Sequence, residues 1–301
     1  MTTVTESPTI AVVVVNWNNE NDTAECLESL SEQTYDDFCV IVVDNGSKQD
    51  SIDYLLDRFD WPIYCLNDKN LGATGGYNTG IREALNRDSE HVLLLNNDTA
   101  VDPAFLADLA NSLDNLPSDA GVVEPAIHTY ETGKLWAAGA DVNPYTGATK
   151  HRYENPPYEN AVRTDYAVAA AALIHTDVFE DVGLIDSDFF IYYDEPEFCA
   201  RAQEAGWGIW YVPVSGVAHK ENNDYTHASF HDYYFIRNRW LFIRKTQPLY
   251  RRLVFYPYFF IRWVIFQVAY LLMVKRNPAA AKATLRGAFH AVLGKTGKLE
   301  D

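Results

Sequence analysis

Four short polar segments, each following an apolar run, hold the residue types that could do chemistry. Val15–Asn18 reads VNWN, and Asn16, Trp17 and Asn18 stand at a strand end where polar groups and an indole could meet a nucleobase. Val43–Ser47 reads VDNGS. Asp44 leaves a β-branched run into a turn, where it can accept a hydrogen bond from a base N–H or a ribose hydroxyl, or serve simply as a turn residue. Asn70–Gly80, NLGATGGYNTG, has four glycines in eleven residues. A loop of that kind before a helix lets backbone approach a diphosphate closely, with Asn70, Gly72, Gly75, Gly76 and Asn78 as the candidate contacts. It contains no P-loop lysine, which disfavours ATP hydrolysis, and it is not a GxGxxG after the first strand. Leu95–Thr99 reads LNNDT; Asp98 is the natural ligand for Mg²⁺ or Mn²⁺ shared with phosphate oxygens, with Asn96 and Asn97 as weaker, neutral candidates.

The elements that must position these residues follow from periodicity. Ile10–Val15 is a continuous β-branched run, the mark of a strand buried on both faces. Asp22, with Glu25 three residues on, reads as a helix cap, and Ala24, Leu27 and Leu30 form that helix's inner face. Cys39–Val43, Pro62–Leu66 and His91–Leu95 read as further strands, and Thr79–Asn86 as a helix. Strands alternating with helices imply an α/β fold, a doubly wound, mostly parallel sheet with helices on both faces. Ligands bind such sheets at the carboxyl ends of the strands, where Asn16, Asn18, Asp44 and Asp98 fall. Residues 120–165 read as irregular loops or a short hairpin. Val168–Ile174 is small and apolar, Asp177–Gly183 a helix ended by glycine, and Pro196–Ala205 a helix with Pro196 at its first position and Gly206 as its stop.

Composition narrows the function. Residues 1–232 hold 11 Lys and Arg against 40 Asp and Glu, a surface that repels nucleic-acid phosphates and fits a heavily solvated, salt-adapted protein. Residues 233–301 reverse this, with 13 basic residues against two acids. Within them, Leu253–Val274 is 22 residues long and apolar enough to span a bilayer, but Arg262 sits near its middle, with Pro257 and Gln267 beside it. A helix or helical hairpin lying in the membrane surface is the favoured reading, ahead of burial against the domain and of a true span. The four cysteines are scattered and form no CxxC pair, which fits a reducing compartment. The first residues, MTTVTESPT, lack the pattern of a signal peptide.

VNWN, VDNGS, NLGATGGYNTG and LNNDT, in this order and spacing, resemble the nucleotide-sugar half of family 2 glycosyltransferases, which have the GT-A fold. Ala167–Trp207, AVAAAALIHTDVFEDVGLIDSDFFIYYDEPEFCARAQEAGW, resembles the acceptor half of that family's rhamnosyltransferase-like branch. The likeness covers about residues 8–245. It implies that Asp44 contacts a uracil or thymine ring and that Asp98 is the last acid of the family's DxD metal motif, Asn96 standing where the first acid is usual. Asp194, Glu195 and Glu197 match the family's ED-x-D, which makes Glu195 the catalytic base, Asp194 the runner-up, and puts Glu197 and Arg201 on the acceptor side. Asp and Glu are interchanged at all three acids. His219 matches a histidine near the diphosphate, sometimes on the metal.

Chemistry asks for the same arrangement. A donor whose leaving group sits on a metal needs a carboxylate on the opposite face to take the acceptor's proton. At a helix N-terminus, the dipole would favour the ionised form of Glu195. Arg237 and Arg239 could meet a phosphate or face the membrane; Trp17, Tyr192 and Tyr193 could stack on a base or sugar, or simply pack.

The expectation is an inverting transferase with a GT-A domain over 1–245, divided into a donor half at about 8–120 and an acceptor half at 121–245. Residues 246–301 form a membrane-associating helical tail. The donor is a UDP- or dTDP-sugar. The acceptor is a lipid-linked glycan at the cytoplasmic face of the cell membrane, of the kind used for cell-surface glycans or protein N-glycosylation. A sugar nucleotidyltransferase would need a basic residue in the glycine-rich loop, and a non-catalytic glycan-binding subunit would not need both acids.

Overall fold

The structure is a computed structural model that describes residues 9–153, 160–220 and 228–299; all but the last residue of the MTTVTESPT stretch lies outside them. The first half is a regular β/α alternation: β1 (Ile10–Asn16), α1 (Glu20–Ser31), β2 (Phe38–Asp44), α2 (Gln49–Arg58), β3 (Ile63–Leu66), α3 (Gly72–Asn86) and β4 (His91–Leu95). β1, β2 and β4 are buried almost throughout, as their unbroken apolar runs require, and β3, β2, β1 and β4 pair in parallel in that order.

β5 (Thr99–Val101), α4 (Phe105–Leu113) and β6 (Ala120–Glu124) follow, then four strands of three residues each: β7 (Ile127–Thr129), β8 (Leu135–Ala137), β9 (Ala140–Val142) and β10 (Thr149–His151). After these come β11 (Val162–Arg163), β12 (Ala171–His175), α5 (Thr176–Val182), α6 (Asp194–Glu204), β13 (Gly208–Tyr211) and β14 (Val217–His219). The stretch expected to be irregular loops or a short hairpin does hold one, β9 with antiparallel β10, and its other short strands are too brief to show a period of two. β12 inserts antiparallel between β4 and β6, which makes the eight-stranded sheet mixed. A second sheet runs in the order β5, β14, β7, β8.

Asp22 does not cap α1: the helix begins at Glu20, and the Asp22 and Glu25 carboxylates hold Lys220 at 2.7 and 2.6 Å. α6 starts two residues before Pro196, because Asp194 and Glu195 already have helical backbone.

After α7 (Ala228–Thr246) the chain forms one long helix, α8 (Leu249–Tyr258) running through a π-helical stretch (Phe259–Phe266) into α9 (Gln267–Met273). Over Leu249–Met273 it is long and apolar enough to cross a membrane by length and composition. Phe255, Phe259 and Leu271 face inward, while Leu253, Val254, Ile261, Ile265, Phe266 and Met273 are exposed. α10 (Pro278–Val292) then returns along α7. The two helices touch so closely at Gly287 that a Cβ there would stand 2.5 Å from the Tyr233 carbonyl oxygen. Both ends of the apolar helix are therefore tied to the same side of the domain.

Candidate active site

The carboxyl ends of β1, β2 and β4 open onto a cavity of about 520 Å³, lined by Val15, Trp17, Asn45, Asn70, Gly72, Ala73, Asn96, Asn97 and Asp98 on one side and Phe190–Tyr192 on the other. That volume is of ordinary ligand size. Trp17, 54% exposed, stands at its edge. The N-terminus of α3 opens into it through Gly72 and Ala73, with Asn70 Oδ1 accepting from the Gly72 N–H at 2.7 Å. A helix terminus of this kind favours an anion.

Several expected contacts do other work. Asn16 is wholly buried; its amide donates to Asp44 Oδ1 at 3.0 Å and accepts from the Thr23 hydroxyl at 3.0 Å, so it orients Asp44 rather than meeting a ligand. Asp44, also buried, accepts from the Ser47 N–H at 3.0 Å and lies behind Asn45, which lines the cavity. Asn18 ties its loop to the next, accepting from the Lys48 N–H at 2.8 Å.

The glycine-rich segment is not a loop. α3 begins at Gly72, seven residues before the expected Thr79, and its glycines let the helix lie against the sheet. A Cβ on Gly76 would come within 2.7 Å of Val15, one on Gly80 would collide with Val13, and one on Gly75 with Leu71. Gly72, at φ +81°, lies against Phe190. Gly76 and Gly80 thus admit the helix to the sheet, whereas Gly75 would meet only Leu71 of the preceding turn. Asn78 faces away from the cavity, its amide exchanging hydrogen bonds of 2.7 and 3.0 Å with the Ile185 backbone.

Asp98 and His219 meet because β14 runs antiparallel to β5, with His219 opposite Thr99. His219 Nε2 lies 3.2 Å from Asp98 Oδ1 and 3.4 Å from Asn96 Nδ2. Asn96 is held in turn by the Tyr77 hydroxyl at 2.7 Å. Asp98 Oδ1 and His219 Nδ1 are both buried without a hydrogen-bond partner. A buried carboxylate oxygen lacking a donor, beside an imidazole and an amide, is a fitting donor set for a divalent cation. Asn97 donates to Thr23 at 2.9 Å while lining the cavity.

Glu195 faces a second cavity of about 280 Å³ with Asn96, Trp136, His151, Tyr166, Tyr192 and Phe235 around it. Asn96 and Tyr192 line both cavities, so the Asp98 and Glu195 carboxylates address adjoining spaces. Trp136 and His151 continue into a third, open depression of about 380 Å³ that reaches Thr129 and Lys134. Glu195 is half-buried, whereas Asp194 is buried and lines none of these cavities. Burial, and then the Glu195 charge, push the Asp194 carboxyl well above the ordinary carboxylate range. Burial raises Glu195 too, against backbone hydrogen bonds and one from Asp194 that favour its charged form. Desolvation therefore outweighs the helix dipole. Of the two acids, Asp194 is thus the one whose neutral form burial favours more strongly.

Glu197 and Arg201 are not on this face. The guanidinium grips the carboxylate at 2.8 and 2.9 Å and donates to the Val182 and Leu184 carbonyls, fastening α6 to the turn after α5. Arg237 and Arg239 of α7 are fully buried and line neither cavity. Arg237 donates to the Phe189 carbonyl at 2.8 Å, and Arg239 to the Tyr193 hydroxyl at 2.6 Å. Asn238 between them donates to the carbonyls of Phe189, Ile191 and Tyr192 at 2.7–2.9 Å. This clamp holds Phe190, Tyr192 and Tyr193 at φ 64–67°, left-handed backbone that costs about 1–2 kcal/mol per residue. The strain lies immediately before Asp194 and Glu195. Asn238, Tyr77, Trp136, His151 and Tyr166 went unmarked in the sequence because nothing local distinguishes them, although Tyr77 does lie inside the glycine-rich segment.

A cavity of ligand size at the strand ends, a carboxylate with a buried oxygen beside a histidine, and a second acid on an adjoining space are the chemical features of this site. The family model for glycosyl transferase family 2 matches residues 11–183, more than half of the chain, and the chain belongs to that family. It is 27% identical to the low-salt glycan biosynthesis hexosyltransferase Agl10 of Haloferax volcanii, over 97% of this chain and 93% of the relative. It is 23% identical to the dTDP-rhamnosyl transferase RfbF of Shigella flexneri, over 79% and 80% of the two chains. Among solved structures, S. aureus TarS 1-349 in complex with UDP-GlcNAc superposes at a TM-score of 0.60 with 15% identity, covering 94% of this chain and 81% of that one. GalNAc-T7 with UDP, GalNAc and Mn²⁺ also gives 0.60, at 14% identity, over 87% and 57%. The fold is GT-A, and the chain is a glycosyltransferase that uses a nucleotide-sugar donor.

Proposed function

We propose that this chain is an inverting hexosyltransferase that moves a sugar from a UDP- or dTDP-sugar to a hydroxyl of a lipid-linked glycan at the cytoplasmic membrane face, with Glu195 as base. The observation that carries this reading is the pair of adjoining cavities sharing Asn96 and Tyr192, with Asp98 in one and Glu195 in the other. Asp98, Asn96 and His219 would hold Mg²⁺ or Mn²⁺; when bound, such an ion neutralises charge developing on the diphosphate leaving group. The α3 N-terminus faces the same diphosphate. Glu195 takes the proton of the acceptor hydroxyl as that oxygen attacks the anomeric carbon, and Asp194, protonated, steadies the carboxylate beforehand. Trp136, Tyr192 and Phe235 offer flat faces for an acceptor sugar, in keeping with a glycan rather than a bare lipid phosphate.

Membrane contact rests on the exposed apolar side of Leu249–Met273 and on Leu285, Phe289, Val292 and Leu293 of α10. Because α10 packs on α7, a single crossing would strand it on the far side of the bilayer from its partner. The helix therefore lies in the membrane surface. The relation to the glycan biosynthesis hexosyltransferase Agl10 supports a role in glycan assembly. Titration calorimetry with UDP and dTDP, with and without Mn²⁺, followed by a donor screen against extracted polyprenyl-phosphate glycans, tests the reading. Failure to bind either nucleotide would overturn it.

A further inference from the structure

At the opposite end of β4 from Asn96 and Asp98 stands a second group of metal-ligating side chains that sugar transfer does not use. Glu90, His91 and His175 bring one ligand atom each to within 4.8 Å of one another. The register explains the meeting: His91 opens β4, His175 closes antiparallel β12, and the two are direct cross-strand partners. Their rings meet edge-on at 5.0 Å. The Thr176 N–H and hydroxyl both donate to the Glu90 carbonyl at 3.0 Å, which fixes the third residue beside them.

His91 is only 9% exposed, yet its Nδ1 has no hydrogen-bond partner. A buried polar atom left unpaired is costly, and a ligand from outside the chain would satisfy it. His175 Nδ1 accepts from the Asp177 N–H at 3.2 Å, with the Asp177 carboxylate 3.7 Å away. Ligation through Nε2 would move the ring proton to Nδ1 and exchange that cap bond for one to the carboxylate, a usual outer partner of a metal-bound histidine.

We propose that Glu90, His91 and His175 form a site for a borderline transition cation of the Zn²⁺ class, distinct from the site at Asp98. Two imidazoles and a carboxylate, with water as the fourth ligand, suit Zn²⁺ rather than Mg²⁺. Bonds of about 2.0–2.1 Å place tetrahedral ligand atoms roughly 3.4 Å apart, so the three side chains close by about 1 Å on binding. The length of β4, at about 3.3 Å per residue, separates this site from Asn96 by about 16 Å. β4 ends the parallel half of the sheet and β12 begins the mixed half, so a cation here would staple the junction between them.

The test uses the full chain freed of metal, with Zn²⁺ in thermal melts and Co²⁺ in visible absorption. Wild type is expected to show four-coordinate Co²⁺ bands, displaced by Zn²⁺, and a rise in Tm of several degrees at saturating Zn²⁺. H175Q and E90Q, both at accessible positions, should weaken binding at least tenfold while UDP affinity stays unchanged; H91Q, in the core, is secondary. D98N should keep the bands. Bands that survive H175Q and E90Q, bands lost in D98N, or no bands in wild type would each overturn the proposal.

Discussion

Replacing Glu195 by glutamine keeps the shape of the side chain and removes its ability to accept a proton. A positioned general base contributes about 10²–10⁴ in rate, so transfer in E195Q should fall by that factor. Donor affinity should change less than twofold, because Glu195 lines the neighbouring cavity and not the one holding Asp98. The pH profile adds a second, independent reading. Glu195 is raised above the ordinary carboxylate range by burial, so the rate should climb with pH along a limb displaced upward from about 4.5. Asp194 opposes part of that rise by donating a hydrogen bond to the Glu195 carboxylate. Removing that bond disfavours the charged form, so D194A should move the limb up in pH, while D194N, which can still donate, should move it less. Single-turnover transfer of a radiolabelled sugar across the pH range measures all three variants. Full activity in E195Q, or a limb that D194A leaves in place, would refute the assignment of the two acids.

Four further outcomes follow from the same geometry. D98N should weaken Mn²⁺-dependent UDP binding at least tenfold and leave metal-free binding unchanged in calorimetry. N238A frees three carbonyls of the strained turn before Glu195; urea melts should show a loss of about 2–4 kcal/mol, with transfer impaired more than donor binding. G80V drives a side chain into Val13 in the central strand and should cost at least about 1–3 kcal/mol, measured the same way, as overpacking does. Glu124 is wholly buried and pushed up to about 8 by burial, against hydrogen bonds from the Val168 and Gly139 N–H groups. Between about pH 4.5 and 8 the folded chain holds a proton that the unfolded chain has released. Its contribution to stability is therefore present below that window and is lost as pH rises through it, by up to about 1.4 kcal/mol per unit; the difference in pH dependence of Tm between wild type and E124Q measures it.

Much of the donor half was legible because its signals are local. Unbroken β-branched and apolar runs can only be doubly covered strands, so β1, β2 and β4 were found within a residue or two. In a parallel sheet the polar residue after each strand falls at the ligand edge, and Asp98 does line the cavity there. The basic, apolar tail was likewise visible as composition. What the linear pattern could not reveal was which way a side chain turns once helices pack. The glycines of Asn70–Gly80 look the same whether they cradle phosphate or admit a helix to a sheet, and only the nearness of Val13 and Val15 decides it. Glu197, Arg201 and Asn78 share motifs with residues of the site but rotate away on their helices. The arginines of α7 read as contacts to a phosphate or to the membrane until burial makes them clamps on a strained turn. The shift of Glu195 runs opposite to what a helix N-terminus alone suggests, since desolvation belongs to the whole fold. Residue types and strand ends are written locally; facing, burial and partnership between distant segments exist only once the chain has closed on itself.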